Sequence, residues 1–197
     1  MSRFAPRHPE DVARLVESAV LGLVTTHDAL GYIATPLPLL AHCDEQGAVR
    51  EFVGHFARAN PQLARAQQSS RAQITFLGPH AYIAPWMVRR EDWAPTWNYQ
   101  FAQFEVDMVF EPDRNDDAIR ALVEHLEGVG DTSWSVESVG PRYERLIANV
   151  VAFRARVRGS SARFKLGQDE DRQTFDEIVA ALGNGPLVAA MRRQRSD

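Results

Sequence analysis

Cysteine and lysine are almost missing from this sequence: Cys43 and Lys165 stand alone among 197 residues. A single cysteine excludes an internal disulfide framework and a cysteine-based zinc site. No apolar run approaches the roughly 18 residues that a membrane helix needs, and residues 1–6 carry no hydrophobic leader core. A cytoplasmic setting without a membrane partner is therefore expected. G-x-G-x-x-G, P-loop, H-E-x-x-H and G-x-S-x-G motifs are all lacking, so nothing signals a dinucleotide fold, a phosphate loop, a zinc protease or a serine hydrolase. Positive charge is not in surplus either. The net charge of −4 argues against a surface built as a whole for nucleic acid.

What is present reads as one ordinary globular domain, 45% hydrophobic and 24% charged. Helices are predicted over 9–19, 61–68, 114–127, 171–182 and 187–191, with a helical turn at 141–147. The face of 114–127 expected inward carries Ile119, Leu122, Val123 and Leu126. Strands are predicted over 20–26, 49–56, 72–77, 81–83, 97–110 and 149–157. An extended segment, 32–40, contains Pro36 and Pro38 and so belongs at a sheet edge or a strand end. Residues 84–98 form a loop dense in tryptophan. Neither repeats nor a linker interrupt the chain. The fold class expected is α+β or mainly β, an antiparallel barrel with peripheral helices. Residues 1–197 make a single domain with a C-terminal helical extension over about 171–197.

Residues 52–61, Phe-Val-Gly-His-Phe-Ala-Arg-Ala-Asn-Pro, are the most informative stretch. A strand runs into a helix whose cap is Asn60 and whose first residue is Pro61. The corner offers Arg58 and a helix N-terminus with free N–H groups, together suited to a phosphate. Arg154, Arg156 and Arg158 alternate along a strand and share one face. That stripe either contacts DNA phosphates, or is a solvated face or meets acidic residues across a dimer. The Arg192–Arg195 tail is open to the same readings.

Several phrases taken in order resemble one family. Residues 54–61 resemble its GHLARANP signature, 76–83 its FQGPHAYISP, 95–99 its VPTWNY, 164–169 its FKLSQN and 34–40 its ATHLPLLL. On these the chain is identified as a member of the PaiB family of FMN-binding negative transcriptional regulators, the likeness running from about residue 3 to 183. The resemblance implies a split β-barrel of the FMN-binding type, a homodimer with FMN near the subunit interface, and a repressor's role with DNA as an eventual partner. On the matching positions it points to Thr35, His55, Arg58, Asn60, Thr96, Trp97, Asn98, Tyr99, Lys165 and Gln168 as cofactor-binding residues. In this reading Arg58, Asn60, Thr35 and Thr96 serve the phosphate, and Trp97 and Tyr99 flank the ring. Lys165 and Gln168 reach in from the C-terminal segment of the same or the partner subunit. No catalytic or metal-binding residue is assigned.

Departures from the pattern remove hydrogen-bonding groups around that site. SPSWY is here Ala84-Pro85-Trp86-Met87-Val88, residues 100–106 lack the usual histidine and glycine, and the serine of KLSQN is Gly167. These departures motivate one alternative to the regulator, a scaffold that has lost its flavin; related members of the implied fold motivate two others, an FMN-dependent oxidoreductase and a haem-binding split barrel using His55 or His80.

Overall fold

The computed structural model describes residues 2–128, 130 and 133–195. Six antiparallel strands form its centre: β1 (Leu21–Asp28), β2 (Gly31–Cys43), β3 (Val49–Ala57), β4 (Arg71–Ile83), β5 (Thr96–Phe110) and β6 (Val150–Lys165). They close into a ring in the order β1-β2-β3-β6-β5-β4. Around it lie α1 (Asp11–Ala19), α2 (Pro61–Gln68), α3 (Asn115–Glu127), α4 (Tyr143–Ile147), α5 (Arg172–Leu182) and α6 (Pro186–Gln194). No helix among the described residues is long and apolar enough to cross a membrane.

Alternation along the strands sends one set of side chains inward. Phe52, Phe56, Phe76, Phe104, Phe153 and Phe164 are fully buried there. Phe52 stacks on Phe76 with ring centroids 5.7 Å apart and meets Phe104 edge-on at 4.9 Å. Burying each such ring contributes about 2–3 kcal/mol. The space for them comes from glycine. A Cβ on Gly54 would stand 2.6 Å from Leu39 Cδ2 and 2.9 Å from Phe153 Cζ.

The ring is incompletely paired, and the gap matters below. β2 pairs with β1 over 31–38 but with β3 only over residues 39–43. Leu39 N–H donates to Val20 O at 2.9 Å. By alternation Thr35 and Leu37 also face β1, and Pro36 and Pro38 occupy positions whose N–H would point into the gap. The edge expected from the two prolines is thus real, and it is one half of a longer strand.

Helix α2 packs at one end of the ring, against β1 and β2. Gln62 is fully buried and its amide nitrogen donates to Val24 O at 2.9 Å and Ile33 O at 3.2 Å. Arg65 holds the β1–β2 turn through Asp28 and through Gly31 O at 2.6 Å.

Several predicted elements differ. The two strands 72–77 and 81–83 are one strand, β4, because a bulge between Leu77 and His80 absorbs Gly78-Pro79 without ending the ladder. Leu15 of α1 packs onto that bulge, where a Cβ at Gly78 would lie 2.4 Å from its Cδ1. The last strand runs on to Lys165, not 157, with a bulge opposite Glu105/Val106 and small residues Gly159, Ser160 and Ser161 following it. Pro9 precedes α1 rather than opening it, and Val20, at φ 53°, caps that helix rather than starting β1. On α3 only Ala118 is fully buried and Leu126 is 58% exposed. That helix is anchored at its start, where Asn115 bonds Val150 O and receives Ala152 N–H, and its later turns pack loosely. Of the expected C-terminal extension, α5 and α6 are present and residues 196–197 lie outside the described residues.

Candidate functional site

The corner at residues 54–62 folds as a strand-to-helix turn, with a correction to its chemistry. Asn60 caps α2, its Oδ1 accepting from Gln62 N–H at 2.8 Å, and its Nδ2 donates to Thr35 Oγ1 at 3.1 Å across the gap. Pro61 has no N–H, and Leu63 N–H is bonded to Asn60 O. The free N–H groups expected at this helix end are therefore already used. Any anion held here relies on side chains, and the helix end contributes only its dipole.

Arg58 is the charge available. Its Nε donates to Ala148 O at 2.9 Å and its Nη2 to Val150 O at 3.3 Å, while the group stays exposed. The guanidinium is thereby aimed and still keeps the Nη1 hydrogens. His55 lies on the outer face of β3, in register with Ala152 of β6. Burial pushes its imidazole below the usual value and so favours the neutral form. Beside these residues β2 has no ladder partner on the β3 side before Leu39, with proline at 36 and 38.

A second group forms at the other end of the ring. Lys165 Nζ donates to Thr96 Oγ1 and, at 3.2 Å, to Trp97 O. Tyr99 pairs in register with Lys165, and its hydroxyl accepts from Arg163 Nε at 3.0 Å. Trp97 is 53% exposed, with the rings of Tyr82 and His80 at 5.9 and 6.1 Å. Sequence reasoning passed over Arg163 and Tyr82 as site residues. Arg163 was legible in principle, since it alternates with Lys165 on one face of a strand.

Two of the expected site residues do structural work here. Asn98 is buried, with its Nδ2 3.7 Å from Met191 Sδ of α6. Gln168 uses both ends of its amide to close the turn after β6: its Oε1 accepts from Leu166 N–H at 2.7 Å, and its Nε2 donates to Phe164 O at 2.6 Å. The same turn explains Gly167, which sits at φ 82°, where serine would be strained.

Within one chain the two groups do not meet. Ala152 faces His55 and Lys165 faces Tyr99, so thirteen residues of β6 separate them. That is roughly 40 Å along the strand at about 3.3 Å per residue. The outer sheet face beside them is apolar. Leu21, Leu23, Leu77, Tyr82 and Trp97 on β1, β4 and β5 are each 42–57% exposed.

The arginine stripe of β6 is largely answered from within. Arg154 pairs with Glu111 at 2.5 Å and lies 3.9 Å from Glu51, and Arg158 pairs with Asp107 at 3.0 Å. The acidic partners lie within the chain, where the expectation had placed them across a dimer, and Arg156 has no carboxylate partner among the described residues. Among the described residues no cluster of three His, Cys, Asp or Glu is placed to hold a metal ion.

Comparison with known proteins bears on the family and the fold. Residues 1–159 match the family model described as "Putative FMN-binding domain". The "Protease synthase and sporulation protein PAI 2" of Bacillus subtilis (strain 168) is 27% identical over 183 residues, covering 92% of this chain and 87% of its own. Among solved structures, the flavocytochrome Anf3 from Azotobacter vinelandii superposes with a TM-score of 0.63 at 14% identity, over 88% of this chain and 75% of that one. The FAD and heme binding protein from Mycobacterium smegmatis gives 0.60 at 17% identity, over 91% and 80%. At such identities the likeness establishes the fold, the split barrel expected from the sequence.

Proposed function

The chain belongs to the FMN-binding domain family, and from that premise we propose that it retains FMN in a site completed by two copies of the chain and acts as a regulator rather than an enzyme. The separation of the two residue groups by the length of β6 carries this reading. Neither group is sufficient alone. One has the arginine, the neutral histidine and the exposed β2 edge; the other has the aromatic wall and the lysine.

FMN needs a cation and donors for its phosphate, a flat wall for its ring, and main-chain partners for the ring's polar edge. Arg58 supplies the first, with Lys165 as a second cation from the partner copy. Trp97 and Tyr99 supply the wall. The β2 edge supplies acceptors for the ring's N–H, and its prolines leave it poor in donors. In an apolar contact between copies the exposed row of Leu21, Leu23 and Leu77 is covered. When bound, FMN would supply any redox chemistry, and a regulator needs only its presence or its oxidation state.

The regulatory half of the proposal is supported by the Bacillus subtilis relative, whose name refers to protease synthesis and sporulation. A DNA partner would have to engage a surface other than the neutralised Arg154/Arg158 stripe. A cytoplasmic location belongs to the same proposal.

The visible absorption bands of an oxidised flavin in the purified protein, read together with light scattering, test it. The expected result is a dimer that carries FMN or binds it stoichiometrically. A monomer, or a dimer whose spectrum and melting point ignore added FMN, overturns it. Steady NAD(P)H oxidation by the loaded protein would replace the regulator with the oxidoreductase.

A further inference from the structure

The two ends of the described chain cross beside the end of β6. Phe4 O accepts from Phe164 N–H at 2.8 Å, and Arg7 N–H donates to Gln194 Oε1 at 3.1 Å. Between residues 2–7 and α6 lies a groove of about 440 Å³. Arg3, Arg7, Arg195, Gln168 and Gln194 line it, and no carboxylate does. Arg193, one turn away, is taken by Glu10 and Asp11. Among the described residues, Arg3, Arg7 and Arg195 have no carboxylate within ion-pairing distance. Glu170, which might have answered Arg195, gives it only its main-chain oxygen, at 3.4 Å, and commits its carboxylate to Trp93 Nε1 at 3.1 Å.

One of these cations is held in place. The Arg195 guanidinium sits over the Phe175 ring at 4.3 Å. Arg163, just beyond the groove, sits over Phe4 at 4.5 Å. Other arginines of this acidic chain, such as Arg154, Arg158 and Arg193, are paired with carboxylates; the three that line this groove have only amide and hydroxyl company. Their mutual repulsion is relieved by an anion of matching extent, and guanidinium groups favour phosphate oxygens. Three guanidinium groups lining one groove carry more positive charge than a single phosphate balances, and match a diphosphate.

We propose that the groove between residues 2–7 and α6 binds the diphosphate group of a small nucleotide, at a site separate from the flavin. Arg3 and Arg7 hold it from the N-terminal segment, Arg195 from the C-terminal one, and the amides of Gln168 and Gln194 donate at its edges where their internal bonds allow.

The full-length protein as purified is titrated calorimetrically with pyrophosphate and with ADP, with and without saturating FMN. Saturable binding of both is expected, unchanged by FMN. Arg3→Gln/Arg7→Gln, two exposed changes, should weaken it at least tenfold while melting point and flavin response stay as in the wild type. Absence of saturable pyrophosphate binding overturns the proposal, as does affinity indifferent to the double substitution. Displacement by FMN overturns it by assigning the anion to the flavin site. Binding of a single-stranded oligonucleotide without binding of pyrophosphate overturns it in favour of a polynucleotide backbone. The pyrophosphate titration without FMN and its response to the double substitution read the groove whether or not FMN binds.

Discussion

Asp11 joins the first helix to the last. It is 3% exposed and accepts from His8 N–H at 2.8 Å, Arg193 Nε at 2.6 Å and Gln194 Nε2 at 2.6 Å. Burial alone would raise its pKa. The three donors outweigh burial and hold the carboxyl below its ordinary value of 3.8. A depressed folded-state value means that the stabilisation is present above the unfolded pKa and is lost as pH falls through the folded one. Asp11→Asn is therefore expected to cost about 2 kcal/mol near neutral pH in a urea titration. The gap from the wild type should narrow as the solution is taken below pH 3.8. A penalty that does not change between neutral and acid pH would mean that the charge is not what matters.

At the scale of elements, the signature stretch shows what a sequence can and cannot disclose. Helix α2 has the expected bounds, because Asn60 and Pro61 are local signals whose meaning does not depend on distant residues. The length of β6 was not legible, since Gly159-Ser160-Ser161 read as a strand's end, and only the ladder with β5 carries the strand through them. The exposure of Leu126 was hidden for a related reason: periodicity shows that a helix has an apolar face, not whether anything covers it. Gly54 belongs to the legible part of the motif, but its reason is tertiary. Gly54→Ala would drive a methyl group into Leu39 and Phe153. A loss of about 1–3 kcal/mol is expected from this overpacking, measured as a shift in the urea midpoint at constant slope. A neutral result would show that the barrel interior gives way at that point.

For the molecule as a whole, most of the candidate site residues were legible from the ordered phrases, and their division into two groups was not. Arg58 and Lys165 seem neighbours only when the chain is read as a list of motifs; the ring puts the length of β6 between them. Two consequences are measurable. Leu23→Asp places a charge in the middle of the exposed apolar row without touching the core, since Leu23 is 42% exposed. A monomer by light scattering is expected, with flavin binding weakened at least tenfold. An undiminished dimer would place the contact elsewhere. In the second experiment, Arg58→Gln and Lys165→Met each damage the site from one side. Dimers mixed from the two variants contain one intact site, so random remixing should restore about a quarter of the flavin capacity. No recovery on mixing would mean that both residues serve the same copy's site, or that one of them serves none.

The order in which the ring closes has a consequence during synthesis. β3 ends at Ala57 but waits for β6, which begins at Val150, and β1 reaches β4 through only four paired residues, Leu23–Thr26. Asp11 then waits for Arg193, 182 positions later. On a ribosome adding about 5–20 residues per second, the first strands would spend several seconds with a phenylalanine-rich face unshielded. Such high contact order makes closure slow. Chaperone dependence should therefore fall on the nascent chain, before residue 150 emerges, and a finished chain should need little help.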